Sequence, residues 1–138
     1  MSNSLADAEV VLISRLLANI PTGFTAAKIK VPNAPFTTPA DKWLRVTMNI
    51  TGTNELDAQG AFELNIGILT IDVFYAKGTG SDAANETANL IKLAYNGYKS
   101  NDVVVYPVEV IAGVEDGNWW RVQIDANFQF QSYNPLLS

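Results

Sequence analysis

The sequence predicts an α+β fold: a single domain over residues 1–138, with a mostly antiparallel twisted sheet of about five strands and two helices on one face. Three observations carry this. From Trp120 to Phe130 apolar and polar residues alternate without a break, the period-two signature of a strand with one buried face. Two other stretches, after Ser4 and after Ser81, repeat apolar residues at the 3.6 period of an amphipathic helix. The strands also show one polar face, which suits antiparallel pairing; parallel strands buried on both faces read as continuous apolar runs. The predicted order is α-β-β-β-α-β-β, and 138 residues are enough for one buried core.

The first helix starts at Ser4 as cap. Asp7 and Glu9 lie near the positive end of its dipole, and Leu5, Ala8, Leu12, Ile13 and Leu16 form its apolar stripe until Pro21 and Gly23 stop it. In Ala27 to Val31 apolar residues alternate with Lys28 and Lys30, as in a short half-solvated strand. Prolines 32, 35 and 39 then favour a stiff extended loop that holds Phe36 outward. From Trp43 to Thr51, Leu44, Val46, Met48 and Ile50 share one face. The polar, glycine-bounded segment from Gly52 to Ala61 reads as a mobile connection.

In the third strand the apolar set runs Phe62, Leu64, Ile66, Ile68 and then Leu69, Ile71, Val73, Tyr75. The phase slips by one near Gly67, so a bulge is expected there. Gly78 and Gly80 break the strand, and Ser81 caps a second helix with the stripe Ala84, Ala88, Ile91, Tyr95, ended by Gly97. Val103 to Ile111 is strongly β-forming but holds Pro107, which suits a bent or edge strand. In the last strand Trp120, Val122, Ile124, Ala126, Phe128 and Phe130 point inward.

Composition excludes several functions. Nine basic and fourteen acidic residues give a net charge of −5, and the basic ones are scattered, so there is no footprint for gripping nucleic-acid phosphates. The charged fraction of 17% is low beside 48% hydrophobic residues, which calls for a large core or a surface covered by neighbours. No apolar run reaches membrane-helix length and the start does not resemble a signal peptide, so a soluble chain made in the cytoplasm is expected. With neither cysteine nor histidine, disulfides, thiolate zinc sites and Ser-His or Cys-His nucleophiles are out of reach.

Three motifs imitate functional sites. Gly78-Thr-Gly-Ser-Asp-Ala83, with Asp102 about twenty residues on, fits a loose dinucleotide fingerprint, but that needs a parallel βαβ frame and the strand before it alternates. Glu115-Asp116-Gly117-Asn118 lacks calcium-loop spacing and reads as a hairpin turn. Glu55 and Asp57 have neither a base partner nor an apolar wall, so they read as a solvated loop. No catalytic, cofactor-binding or metal-binding residue is assigned, and no cofactor is expected. Trp119, outward beside the turn, and Phe36 on the proline loop are candidate interface anchors.

A set of segments carries a resemblance: Pro35-Phe36 and Pro39-Ala-Asp in the loop, Gly67-Ile-Leu-Thr-Ile-Asp-Val-Phe-Tyr, the glycine turn and helix, and Asp116-Gly-Asn-Trp-Trp-Arg121. Together they resemble phage tail terminator proteins, similar to the lambda minor tail protein U group. The resemblance implies a non-enzymatic virion protein at the tail-neck junction. It would form a homo-oligomeric, six-fold ring that binds the tail tube protein, ends polymerisation and meets a head-tail connector or completion protein. DNA would only pass through the lumen, and no membrane is involved. On this reading Phe36, Trp43, Glu55, Asp57, Asp116 and Trp119 are the candidate interface residues. The alternatives are another neck component, or a small nucleotide-binding or ligand-binding domain using the Gly78–Gly80 turn.

Overall fold

The computed structural model describes residues 5–57, 60–100, 102–133 and 136. Helix α1 (Leu5–Ala18) leads through a short 3-10 turn into β1 (Ile29–Lys30), β2 (Lys42–Glu55) and β3 (Phe62–Ala76). Helix α2 (Asp82–Tyr95), β4 (Lys99–Ser100), β5 (Val103–Val105), β6 (Glu109–Asp116) and β7 (Trp119–Tyr133) follow. The strands form one seven-stranded sheet in the order β1-β2-β3-β7-β5-β4, with β6 also on β7. All pairs are antiparallel except β1 with β2. The architecture is the expected α+β, with both helices packed on one sheet face.

The inward rows behave as the alternation predicts. Leu69, Ile71 and Val73 of β3 and Val122, Ile124, Ala126 and Phe128 of β7 are buried against Ala8, Leu12 and Leu16 of α1 and Ala88, Ile91 and Tyr95 of α2. Each large aliphatic side chain so buried contributes about 2 kcal/mol. Polar contacts fix the layers. Tyr95 donates its hydroxyl to the Leu12 carbonyl at 2.5 Å, and Tyr75 and Thr87 share a buried hydroxyl bond of 2.8 Å.

Several elements differ from expectation. Gly52 to Glu55 belongs to β2, leaving a shorter connection, of which residues 58 and 59 lie outside the described residues. The bulge is in β2, where Thr51 is the extra residue between Ile50, opposite Gly67, and Gly52, opposite Ile66; β3 pairs with β7 without a slip. Gly67 serves a different need: a Cβ there would stand 2.7 Å from the Asn49 carbonyl oxygen and 2.7 Å from the Phe128 ring. Phe62, Leu64, Ile66 and Ile68 therefore lie on the open face, not in the core. Pro107 splits the expected Val103–Ile111 strand into β5 and β6, and the Val108 N–H just past it donates to Asn96 Oδ1 at 2.9 Å. Ser81 precedes α2 in a helical conformation (φ −95°, ψ −17°), so its hydroxyl makes no cap bond. Ser4 lies outside the described residues. The hairpin turn is as expected: Asp116 pairs with Trp119, and Gly117 takes φ +60°.

Candidate interface on the open sheet face

The face that the helices leave open is built from the outward rows of β2, β3, β7 and β6. At one end Trp43 and Phe74 are cross-strand partners whose rings stack, with centroids 4.1 Å apart. Phe36 reaches over from the proline loop to 5.4 Å from Trp43, and Trp119 meets both rings edge-on at 6.0 and 6.4 Å. Three of the sequence-predicted residues, Phe36, Trp43 and Trp119, thus form one aromatic cluster with Phe74. Trp43 and Phe74 are buried within it, while Phe36 and Trp119 are half-exposed and form its outer skin. Trp43 Nε1 is buried with no hydrogen-bond partner, an unmade bond of the kind that costs about 1–3 kcal/mol.

An ionic ladder adjoins the cluster. Asp72, on β3 with its side chain 3% exposed, accepts two hydrogen bonds from Arg45 at 2.8 and 3.1 Å and one from Arg121 at 3.3 Å. Arg45 also lies 5.1 Å above the Phe74 ring, joining ladder and cluster. Asp116 stands 3.2 Å from Arg121 Nε, off the N–H axis, so the contact is ionic only. Further along, Gln123 donates to Asp125 at 3.0 Å, as does Thr70. The candidate Asp116 is thus tied to the aromatic end through Arg121.

Glu55 and Asp57 stand at the other end of the sheet. Glu55 lies twelve residue steps along β2 from Trp43, roughly 40 Å. Glu55 faces Glu63 directly across the ladder, a like-charge pair that is ordinarily unfavourable. The Asp57 carboxylate accepts the Phe62 N–H at 3.4 Å and so shapes the turn. Beside these carboxylates Phe62 and Ile66 are more than a third exposed, and Phe62 packs on Tyr133 at 4.9 Å. The phase slip expected near Gly67 is absent from β3, and with one uninterrupted phase Phe62, Leu64 and Ile66 form an open-face row.

The described residues hold no group of three or more Asp and Glu that could bind a metal ion, and no helix among them is long and apolar enough to cross a membrane. The hollow beside Gly78 and Gly80 is lined by Lys77, Glu115 and Trp120, and Lys77 is engaged by Glu115 at 3.3 Å.

Comparison with known proteins agrees with this geometry. No curated protein matches the chain. A solved chain superposes on it with a TM-score of 0.70 at 21% sequence identity, covering 95% of this protein and 99% of the other, which establishes a shared fold. A family model described as phage tail terminator protein matches residues 9–128. That span takes in most of α1, the proline loop, the aromatic cluster, the ionic ladder and most of β7, so the chain belongs to the phage tail terminator family, whose members are structural proteins of the phage tail and neck.

Proposed function

We propose that this chain caps the phage tail tube: copies close into a ring, six-fold as the family resemblance implies, which ends tube polymerisation and offers its opposite surface for joining the head. The observation that carries this reading is the family match over residues 9–128. A growing tube end is a heterologous interface, which adds subunits until something occupies it without presenting the next site. A terminator must therefore carry unlike surfaces at its two ends. The open sheet face supplies them, with Phe36 and Trp119 at one end and Glu55 and Asp57 at the other. The tail tube protein and a head-side connector or completion protein are the partners. DNA only traverses the lumen, and a net charge of −5 favours its passage without adhesion.

Deleting the gene and measuring tail lengths tests the proposal. Overlong tails and unjoined heads are expected. Tails of normal length that lack only heads point instead to another neck component, and intact infectious particles eliminate both.

A further inference from the structure

The sheet has two lateral edges without strand partners, and they are unlike. On one side β6 pairs only with β7, and its Val110, Ile111 and Val114 are 41%, 43% and 47% exposed. Apolar side chains on an open edge are what natural sheets ordinarily avoid. On the other side β1 covers β2 only at Leu44 and Arg45. Beyond it the β2 edge opens into a groove of about 310 Å³ walled by Leu5, Val31 and Met48, with Lys30 and Arg45 beside it and Glu9 as its only carboxylate. The β6 edge carries Glu109, Glu115 and Asp116. Glu115 and Asp116 are engaged by Lys77 and Arg121, whereas Glu109 and Lys30 make no ion pair among the described residues.

Strand direction makes these edges compatible. β2 runs opposite to β3, β3 to β7 and β7 to β6, so β6 is antiparallel to β2. The row Thr47, Thr70, Asp125, Glu109 crosses the whole sheet, so the middle of the β2 edge and the start of β6 lie at one level. A second copy set beside the first in the same orientation brings its β1–β2 edge antiparallel to β6. We infer that β6 of one copy lies along the β1–β2 edge of the next, with Val110 on the helix side of the sheet entering the groove, Ile111 on the other face beside Lys30 and Glu109 diagonal to Lys30, so that one ladder continues from copy to copy. The contact joins unlike edges, so every copy keeps one of each free and addition proceeds until rotation closes the ring. The inference rests on the ring-forming role proposed above and names the surface that makes the ring.

The absence of cysteine permits a direct test. Within one copy β6 stands three strand spacings from β2, roughly 14 Å, beyond the ~7 Å Cα separation a disulfide can bridge. Glu109→Cys is combined in turn with Lys30→Cys, Thr47→Cys and Asn49→Cys, and the purified chain is oxidised. At least one pair is expected to give a covalent ladder that ends at the ring size, while the single variants stop at dimers. Sedimentation of Glu109→Lys and Lys30→Glu should show self-association weakened at least tenfold by each, with restoration in the doubly reversed chain. No ladder from any pair, or a double reversal that assembles no better than either single one, overturns the inference. Tail lengths keep the two readings apart. Ladders with normal tails in the deletion strain sink the terminator role and leave the edge contact standing, and overlong tails without ladders do the reverse.

Discussion

Trp43 and Phe74 stack with their planes 9° from parallel on the sheet face away from the helices, one strand apart in the ladder. Both are largely shielded although neither touches the main core, because Phe36 and Trp119 close over them. The protein therefore has a second apolar centre, whose cover is its candidate contact surface.

Removing the centre should cost more than removing the cover. Trp43→Ala is expected to lower unfolding stability by about 3 kcal/mol and Trp119→Ala by about 1 kcal/mol, as suits a buried and a half-exposed aromatic. Chemical denaturation of the two variants checks this. A larger loss at Trp119 would place the weight of the cluster at the turn.

Asp72 holds two guanidinium groups together, so Asp72→Ala leaves Arg45 without its carboxylate and Arg121 with Asp116 alone. The expected loss is about 2 kcal/mol, below the 3–5 kcal/mol of a fully buried pair because Arg45 is 38% exposed and regains water. Pairing the change with Arg45→Met should recover part of the loss in the same denaturation assay.

Burial raises the pKa of the Tyr95 phenol well above its usual value of 10.0. The fold therefore favours the protonated form. This contribution is fully present below about pH 10 and is lost as pH rises beyond it, since the unfolded chain then releases a proton that the folded chain retains. Tyr95→Phe should cost about 1 kcal/mol at pH 7 through the lost bond to the Leu12 carbonyl, and should flatten the fall in melting temperature between pH 10 and 11. An equally steep alkaline fall in both proteins would assign that fall to other groups.

Gly67→Ala forces a carbon against a backbone oxygen and the Phe128 ring, and about 3 kcal/mol of destabilisation is expected. Gly52→Ala, which meets nothing within 4 Å, should stay within about 0.5 kcal/mol of the parent. Thermal unfolding of the pair checks the contrast.

What the sequence made legible follows from how local each signal is. The β7 alternation, the stripe of α2, that of α1 apart from Leu5, which is exposed at the helix start, and the Asp116-Gly117 turn are set by neighbouring residues, and they stand where the pattern puts them. The phase of β3 was misread because a Leu69 beside Ile68 looks the same whether the strand slips or has apolar residues on both faces; only the partner strands decide it. The meeting of Phe36, Trp43 and Trp119 was hidden for the same reason: they come from a loop and two strands that register brings together. Trp119 was legible as outward-facing and the turn sets Asp116 opposite it, but the tie from Asp116 through Arg121 to Asp72 is a ladder with no sequence motif. The placement of Glu55 and Asp57 at the far end follows from the length of β2, whose last four residues were read as loop.

Strand β7 joins β3, β5 and β6, and it is synthesised after all three. While the nascent chain is still leaving the ribosome, the inner rows of β3 and the whole of β6 lack the template they need, so the sheet closes only once Trp119 to Tyr133 have emerged. The β6 edge thus becomes orderly only after β7 has emerged. A polypeptide stalled before that point has no finished edge to offer, which keeps incomplete copies out of any assembly that uses it.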